Sequence, residues 1–453
     1  MNQTMIKMKD MPESETSNFI RVLFGQSTPT SVPMNLKDPE AGVGEIDWID
    51  PGLNDSQKDA IRFALLSKEI ALIHGPPGTG KTTTLIELIL QMLKRGLRLL
   101  VCGPSNISVD NIVERLAPHK VPIIRLGHPA RLLPSVVDHS LDVLTRTSDA
   151  AAIVQDIRKE MDDKQASIKK TRNGRERKAI YQDLRELRRD FRDREKLCVE
   201  NLVRESKVVL ATLHGAGGYH LKNQQFDVVI IDEASQALEA QCWVPLLAAK
   251  KAVLAGDHLQ LPPTIKSLNS KTKPKKDKKA EGDKSKEEKS VTLEITLFDR
   301  LMKLHGESIK RMLTIQYRMH EKINAFPSKE LYEGKLVAFD AVKHRLLKDL
   351  PYGVKDTDDT REPLVFFDTQ GSDFPEKTED GELDRKAAKG LSMAESKSNE
   401  HEAAVVKMHV ENLIDAGVKP EDIAVVTPYN AQVSYEYHIH IQISRIRAVC
   451  YPM

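Results

Sequence analysis

The sequence has few cysteines, few aromatic residues and little net charge, and these shortages exclude several classes of protein. Its 453 residues include only Cys102, Cys198, Cys242 and Cys450, and no two of them form a CxxC pair. Neither a disulfide framework nor a zinc site is therefore predicted, and the thiols are typical of a reduced protein of the cytoplasm or nucleus. The formal net charge is +2. No overall field then attracts the chain to nucleic acid or membrane, so any such contact must be local.

Long apolar runs are also missing. No stretch approaches the ~18 residues that a membrane-spanning helix needs. The first residues, Met1 to Lys9, lack the apolar core of a signal peptide. The composition is 40% hydrophobic and 30% charged, which predicts two or three domains that each bury a core. No membrane partner is expected.

A glycine-rich segment, GPPGTGKT from Gly75 to Thr82, is the strongest signal in the chain. An apolar run, 70–74, precedes it, and a stretch with helical spacing, 83–93, follows it. This arrangement is typical of the P-loop, whose glycines let backbone N–H groups turn towards phosphate oxygens at the start of a helix. Lys81 is predicted to reach the β- and γ-phosphates of ATP and Thr82 to bind Mg²⁺, and an ordinary glycine turn is the weaker alternative. The predicted nucleotide contacts here are Gly75, Pro76, Pro77, Gly78, Thr79, Gly80, Lys81, Thr82 and Thr83.

Short apolar runs alternate with helical or turn segments from about residue 54 onward. The runs 99–102, 208–211, 228–231 and 252–255 have the character of buried parallel strands. The alternation predicts a doubly wound α/β domain over residues 51–265. Residues 1–50 are rich in Ser, Pro and Gly, apart from the run Phe19 to Phe24, which is predicted to form one strand.

A densely charged segment, about 145–203, interrupts this alternation. Ile180, Leu184, Leu187 and Phe191 recur at helical spacing, and the stretch 171–174 separates them from an earlier apolar stripe. We therefore predict a helical hairpin inserted into the α/β domain. Two interpretations are open: a basic lever that contacts nucleic acid, or a solvated hairpin held by salt bridges.

Residues 266–290 are rich in lysine and almost free of apolar side chains, which predicts a disordered loop. Interleaved Asp and Glu favour a solvated loop over a nuclear-import or nucleic-acid patch. A second α/β unit is predicted at 291–433, with candidate strands at 311–315, 364–367 and 423–426.

Two carboxylates, Asp232 and Glu233, end the buried run that begins at Phe226. Ligands of open α/β sheets bind outside the carboxyl ends of the strands. Asp232 is therefore predicted to hold Mg²⁺, and Glu233 to orient and deprotonate the attacking water. A structural Asp-Glu pair is the alternative. The next strand leads to Gln260, which is predicted to lie near the γ-phosphate.

Six motifs stand in the order found in superfamily 1 helicases. They are LNDSQ ending at Gln57, the P-loop, PSNISVD from Pro104, DEAS from Asp232, GDHLQLPP from Gly256 and QYRMH from Gln316. Over about residues 17–433 the chain resembles the branch that contains the nonsense-mediated-decay, Dna-two-like and immunoglobulin mu-binding helicases, and it is most similar to the last. The resemblance implies two RecA-like P-loop domains and accounts for the helical insert.

The resemblance also implies roles for individual residues. Gln57 would read the adenine edge, Tyr317 would stack near the base, and Arg318 would reach the γ-phosphate as an arginine finger. Contacts with single-stranded nucleic acid are implied for Ser105, Asn106, Val109, Thr212, Thr427, Pro428 and Tyr429. For Tyr429 the alternative is an aromatic side chain that simply packs in its turn.

Two segments depart from the family pattern. Residues 1–50 are expected to be a remnant of the β-barrel and stalk that usually precede the first domain. Residues 434–453 are expected to be a tail outside the family, in which the alternating run 438–443 could add an edge strand, although a disordered tail is favoured. The family's later Gly-Arg-Glu and arginine-rich motifs do not follow Val433. The second RecA-like domain is therefore expected to be incomplete.

These features predict an ATP-dependent helicase or translocase that acts on single-stranded RNA or DNA, with ATP and Mg²⁺ as cofactors. The resemblance implies 5′-to-3′ movement. A monomer of the cytoplasm or nucleus is expected, with the ribosome or another ribonucleoprotein as a further candidate partner. Two rival hypotheses stay open: an isoform that binds ATP and nucleic acid without unwinding, and a P-loop ATPase that acts on proteins.

Overall fold

The computed structural model describes residues 1–12, 16–32, 45–147, 149–170, 173–265, 293–378, 397–429, 431–432 and 447–450. The chain divides into two units. The first comprises Met1–Pro263 and Thr292–Thr314, and the second comprises Thr264–Val291 and Ile315–Met453. Within the described residues, no helix is both long and apolar enough to cross a membrane.

A parallel sheet of seven strands forms the centre of the first unit, in the order β3-β4-β2-β5-β6-β1-β7. Each neighbouring pair is parallel, as expected when helices connect the strands. The strands are β1 Ile70–His74, β2 Leu99–Gly103, β3 Ile123–Leu126, β4 Val208–Thr212, β5 Phe226–Ile231, β6 Ala249–Gly256 and β7 Lys310–Met312. The four predicted buried strands are confirmed.

Helices cover both faces of this sheet, which confirms the predicted doubly wound α/β fold. Because successive side chains of a strand point to opposite faces, Ile70 and Leu72 enter one core and Ala71 and Ile73 the other. The helices of the unit are α1 Asn2–Lys9, α2 Asn18–Leu23, α3 Asp55–Leu66, α4 Lys81–Lys94, α5 Asn106–Leu116, α6 Leu141–Thr147, α7 Asp149–Lys170, α8 Gly174–Glu205, α9 Glu239–Leu246 and α10 Leu297–His305. Short 3₁₀ turns lie at Ala117–His119, Pro129–Arg131, Pro134–His139, Gly215–Gly217, Tyr219–Leu221, Ala234–Gln236 and Gly306–Ile309.

The predicted strand at Phe19 to Phe24 is wrong, because this segment forms helix α2. The Ser17 hydroxyl caps the helix by accepting from the Ile20 N–H. The apolar side chains of α2 then enter the core beside the sheet, and the Phe24 ring stacks on Trp243 at 4.7 Å. Arg300 donates to the Leu23 carbonyl and fixes the end of the helix. A six-residue segment with five apolar residues is too short to separate helix from strand by its spacing.

Replacing Leu23 with alanine is expected to destabilise the first unit by about 2–5 kcal/mol. Its side chain is fully buried, so truncation removes apolar contact and leaves a cavity. Urea unfolding followed by circular dichroism measures the change. Leu197→Ala is the matched control, since that side chain is 55% exposed on α8 and should alter stability by less than about 0.5 kcal/mol. Equal effects of the two substitutions would show that α2 does not contribute to the core.

The predicted helical hairpin is confirmed as α7 and α8. Val154 and Ile157 of α7 and Leu184 of α8 are buried, and Lys164 pairs with Asp183 across the two helices at 2.7 Å. The Asn173 side chain caps α8 by accepting from the Arg175 N–H. Most other charged side chains of the hairpin are exposed. The packing therefore agrees with a solvated hairpin and leaves its role in nucleic-acid contact as a prediction.

The second unit contains three described two-stranded sheets: β8 with β9, β10 with β11, and β12 with β13. Its strands are β8 Ile315–Gln316, β9 Val337–Ala338, β10 Lys377–Thr378, β11 Lys397–Ser398, β12 Ala424–Thr427 and β13 Arg447–Cys450. Its helices are α11 Glu321–Leu331, α12 Asp340–Lys343, α13 Asp358–Arg361 and α14 Glu400–Asp415, with 3₁₀ turns at Leu347–Asp349 and Pro420–Asp422. The predicted strand at 423–426 is confirmed as β12.

Of the other two strand predictions for this unit, the one at 311–315 is right that a strand forms but wrong about its unit, and the one at 364–367 is wrong. Lys310–Met312 pairs with β1 and so extends the first sheet, which places the chain up to Thr314 in the first unit rather than in a domain that begins at 291. Residues 364–367 form no strand, and their side chains are 39–85% exposed. A strand needs a neighbour for its backbone hydrogen bonds, and the described residues supply none there. The lysine-rich loop at 266–290 and the candidate strand at 438–443 lie outside the described residues.

Candidate functional site

The P-loop joins β1 to α4 at the carboxyl edge of the first sheet. Gly78 and Gly80 both have φ of 75°, which favours glycine, and Gly80 caps α4. A Cβ on Gly75 would lie 2.9 Å from the Lys81 side chain, so glycine is required for that side chain to fold back over the loop. The Gly75 N–H donates to the Gly256 carbonyl at the end of β6. Neighbouring strand ends therefore fix the predicted phosphate loop.

Lys81 connects the loop to the two predicted catalytic carboxylates. Its Nζ lies 2.6 Å from Glu233 Oε1 and 3.6 Å from Asp232 Oδ1. Burial disfavours the ammonium, but the two carboxylates outweigh it and raise the pKa of Lys81. Burial also raises the pKa of Asp232, with Lys81 acting in the opposite direction. The structure thus brings three predicted site residues from two strand ends into one cluster.

Glu233 has φ of 51° although it is not glycine. A left-handed backbone is costly for such a residue and is characteristic of functional sites. It turns the chain sharply after β5, so that Asp232 is buried while Glu233 stays partly exposed, and the Asp232 carboxylate accepts from the Glu233 N–H at 2.9 Å. The adjacent carboxylates therefore occupy different environments.

Gln260 is held at the neighbouring strand end by a residue that sequence reasoning missed. The amide Nε2 of Gln260 donates to Asp257 Oδ2 at 2.7 Å, and the Asp257 N–H donates to the Ser235 hydroxyl at 3.0 Å. The buried Asp257 also lies 2.9 Å from the His74 ring at the end of β1. A carboxylate in the turn after an apolar strand was the available signal. Asp257 therefore links Gln260 to Ser235, which follows the two carboxylates, and to His74, which precedes the P-loop.

Gln57 lies against the P-loop, but both ends of its amide are engaged within the protein. Its Oε1 accepts from the Asn54 N–H at 3.0 Å, and its Nε2 donates to the Thr79 carbonyl at 3.1 Å. The side chain is only 3% exposed. This geometry supports the phosphate loop directly and leaves the predicted reading of adenine as a hypothesis.

Substituting Gln57 with glutamate is expected to weaken binding of ATP and GTP equally, by roughly 5- to 20-fold. A carboxylate still accepts from the Asn54 N–H but cannot donate to the Thr79 carbonyl. Leaving this buried carbonyl without its hydrogen bond costs about 1–3 kcal/mol. Titration with fluorescent nucleotides measures both affinities. Asn54→Asp adds the same charge nearby and keeps the helix cap, so it controls for charge. Loss of ATP affinity alone would instead support adenine recognition by Gln57.

The predicted nucleic-acid contacts of the first unit lie in two places, at the start of α5 and at the end of β4. Ser105 is exposed and caps α5, Asn106 is half-buried, and the Thr212 hydroxyl accepts from the Gly215 N–H. The side chain of Val109 is fully buried in the core between α5 and the sheet, which does not support its predicted contact with nucleic acid. Position i+4 from Ser105 on α5 faces the core.

Arg125 is a second residue whose part in the site the sequence did not indicate by itself. It is fully buried in β3, and its guanidinium contacts Asp110 and Asn106 of α5. An arginine inside the apolar run Ile123 to Leu126 was the available signal, since a buried charge needs a partner. It connects β3 to the predicted nucleic-acid contact at Asn106.

The predicted arginine finger stands on a braced turn in the second unit. The buried Gln316 accepts from the N–H groups of Arg318 and Met319 and donates to the Met319 carbonyl. Arg318 is exposed, and its guanidinium has no ion-pair partner among the described residues. The Tyr317 ring packs on Phe339 at 4.7 Å. Gln316 therefore holds the turn and presents Arg318 to solvent.

The other predicted contacts of the second unit follow β12. Pro428 is exposed and Tyr429 is half-buried. The side chain of Thr427 is only 6% exposed, and its hydroxyl accepts from the Tyr429 N–H at 3.4 Å. This position supports a role in shaping the turn and does not support the predicted contact with nucleic acid.

Comparison with known proteins places this geometry in a family context. Two AAA domain profiles match the chain, one over residues 52–268 and the other over 293–441. The first contains the P-loop, both carboxylates and Gln260, and the second contains Arg318 and Tyr429.

Three relatives illustrate the similarity. DNA polymerase alpha-associated DNA helicase A of Schizosaccharomyces pombe is 47% identical over 96% of this chain and 60% of its own length. The Saccharomyces cerevisiae protein of the same name is 44% identical over 96% of this chain and 62% of its length. DNA-binding protein SMUBP-2 of Rattus norvegicus is 43% identical over 96% of this chain and 40% of its length. The chain thus spans between two fifths and two thirds of these relatives.

Proposed function

Because the chain belongs to the superfamily 1 helicases, we propose that it uses ATP hydrolysis to move along single-stranded RNA or DNA and to separate paired strands. The observation that carries this proposal is the position of Lys81 between the P-loop and the carboxylates of Glu233 and Asp232. Such an arrangement suits ATP hydrolysis, because the Lys81 ammonium can bind the triphosphate and a neighbouring carboxylate can activate water. The names of the relatives support helicase activity.

The donor set at this edge fits ATP together with Mg²⁺. The Thr82 hydroxyl and the Asp232 carboxylate are hard oxygen donors of the kind that Mg²⁺ prefers. Bound Mg²⁺ would supply positive charge to the β- and γ-phosphates. Lys81 would exchange its carboxylate partner for a phosphate oxygen when nucleotide binds. Glu233 would then orient the attacking water and accept its proton.

Residues outside the cluster of Lys81, Asp232 and Glu233 would couple ATP hydrolysis to movement along the nucleic-acid strand. Gln260, held by Asp257, would contact the γ-phosphate, and Arg318 would stabilise the charge that develops there, with Tyr317 near the base. Movement would run 5′ to 3′, as in the family. The protein would act as a monomer in the cytoplasm or nucleus, with a ribonucleoprotein as a further partner. The strand contacts would be Ser105, Asn106, Thr212, Pro428 and Tyr429.

ATP turnover by this chain with and without single-stranded oligonucleotide tests the proposal. Turnover should rise when RNA or DNA is added at low salt, where contacts with the phosphate backbone are strongest. Duplexes with a 5′ or a 3′ single-stranded tail, followed by strand separation, then test unwinding and its direction.

The outcomes separate the competing functions. Stimulated turnover with unwinding of the 5′-tailed duplex supports the proposal. Binding of ATP and oligonucleotide without stimulated turnover would favour a binding role. Turnover that ignores nucleic acid at every salt concentration would favour an ATPase that acts on proteins and would contradict the proposal.

A further inference from the structure

We infer that His74, Asp257 and His258 form a binding site for a transition-metal dication, Zn²⁺ above all, that is separate from the predicted Mg²⁺ site. Occupancy of this second site slows ATP turnover by restraining Gln260. The metal site itself stands on the geometry of the first unit, whereas its effect on turnover rests on the proposed function.

The three side chains meet where β1 and β6 end. One nitrogen of each imidazole and one carboxylate oxygen of Asp257 lie within 4.8 Å of one another. His74 Nε2 lies 2.9 Å from Asp257 Oδ1, and the centroids of the His74 and His258 rings are 4.8 Å apart. Ligand atoms of one Zn²⁺ lie about 2.0–2.2 Å from the ion and therefore roughly 3–4 Å from one another. Small side-chain rotations would bring all three ligands around one ion.

The donor set determines which metal the site prefers. Two imidazoles with one carboxylate suit zinc and its neighbours among the transition metals, whereas Mg²⁺ and Ca²⁺ prefer oxygen ligands alone. Three protein ligands also leave a position for water. The carboxylates of Asp257 and Asp299 favour positive charge at His258, and Lys310 opposes it. The nearest charges therefore favour a cation on balance.

The imidazole of His258 is ready to bind a metal. Its Nδ1 atom is buried and has no hydrogen-bond partner in the part of the chain that the structure describes. Burial and the neighbouring His74 lower the pKa of His258, which favours the neutral imidazole that a metal requires. The ring stacks on Phe298 at 5.9 Å, and the residue is only half-buried. A metal ion bound by Nδ1 would give a buried polar atom its partner.

Asp257 connects this site to the predicted sensor of the γ-phosphate. Its Oδ1 faces His74, and its Oδ2 accepts from Gln260 Nε2 at 2.7 Å. A metal ion on Oδ1 would fix the carboxylate and so hold the Gln260 amide beside it. Because Gln260 is proposed to contact the γ-phosphate, a bound ion should slow hydrolysis without preventing ATP binding.

Equilibrium dialysis against Zn²⁺, with no nucleotide and no affinity tag, tests the site. His258→Gln should weaken zinc binding by more than about 100-fold, because loss of a ligand exceeds the effect of losing a group that only orients one. His344→Gln is the matched control, since this exposed histidine also lies near a histidine, His320, and 3.4 Å from a carboxylate, Glu321. Asp232→Asn should also keep the zinc, because it alters only the predicted Mg²⁺ site.

ATP turnover with micromolar Zn²⁺ and excess Mg²⁺ tests the action on Gln260. Zinc should lower turnover of the unsubstituted protein by at least roughly fivefold, the lower range of coupling between two sites. His258→Gln should keep its own zinc-free rate when zinc is added. That comparison removes any effect of zinc on ATP itself. Melting of each variant without zinc confirms that it is folded.

Different results would overturn the two parts of the inference. Failure of the unsubstituted protein to take up zinc, or equal uptake by His258→Gln, would overturn the metal site. Zinc uptake that leaves turnover unchanged, or that lowers it equally in His258→Gln, would overturn the action through Gln260. A protein whose zinc uptake depends on His258 but that hydrolyses no ATP without zinc would contradict the proposed function while supporting the metal site.

Discussion

Replacing Glu233 with glutamine is expected to lower ATP turnover by roughly 10²- to 10⁴-fold, the contribution typical of a positioned general base. The amide keeps the shape of the side chain and its place after β5 but cannot accept a proton. ATP affinity should stay the same or rise. Lys81 Nζ now lies 2.6 Å from the Glu233 carboxylate, and the substitution removes a partner that would compete with the phosphates.

Single-turnover hydrolysis and nucleotide titration separate these two effects. Glu205→Gln serves as the control, because that carboxylate is exposed at the end of α8 and forms no ion pair among the described residues. The control should hydrolyse ATP at the unsubstituted rate. A Glu233→Gln variant that still turns over at a tenth of that rate or faster would show that another group activates the water.

The central part of the fold and site could be predicted because its signals are local. The buried strands of a parallel sheet are short apolar runs. The phosphate loop needs glycine at Gly78 and Gly80 for their positive φ and at Gly75 to leave room for the Lys81 side chain. The carboxyl edge of such a sheet gathers whatever follows each strand. Asp232, Glu233 and Lys81 therefore meet as the order of segments indicates.

Other features depend on tertiary partners that a linear pattern does not show. The run Phe19 to Phe24 is apolar enough for a strand. It forms a helix instead, because Ser17 caps its start and its apolar side chains pack into the core on one face of the sheet. The segments 311–315 and 364–367 are both predicted to form strands. The first finds a partner in β1, and the second has none among the described residues.

Site residues are harder to predict where a side chain is buried or hydrogen-bonded to the protein's own backbone. The motifs point to Gln57, Val109 and Thr427, yet the side chains of Val109 and Thr427 are buried and that of Gln57 is hydrogen-bonded to the phosphate loop. Conversely, Asp257 and Arg125 act through buried hydrogen bonds that spacing alone does not reveal. The described contacts, and not the motif letters, assign these supporting roles.

Replacing Arg318 with alanine is expected to lower nucleic-acid-stimulated ATP turnover by roughly 10³- to 10⁵-fold, the range for an arginine finger. Gln316 holds the backbone of the turn through three hydrogen bonds, so the substitution should remove the guanidinium without altering the turn. ATP binding should change little, because a finger contributes mainly when charge develops on the transferred phosphoryl group. Arg318→Lys should recover only a small part of the rate, since an ammonium lacks the planar fork of the guanidinium.

The matched control is Arg345→Ala, which removes another exposed arginine of the second unit that has no ion pair among the described residues. Steady-state turnover with saturating oligonucleotide should be unchanged in the control and near background in Arg318→Ala. If Arg318→Ala instead weakened only oligonucleotide binding and kept its maximal turnover, the residue would contact the strand rather than the nucleotide. A lower melting temperature in Arg318→Ala but not in the control would indicate a structural role for Arg318. We do not expect this result, because the side chain is exposed.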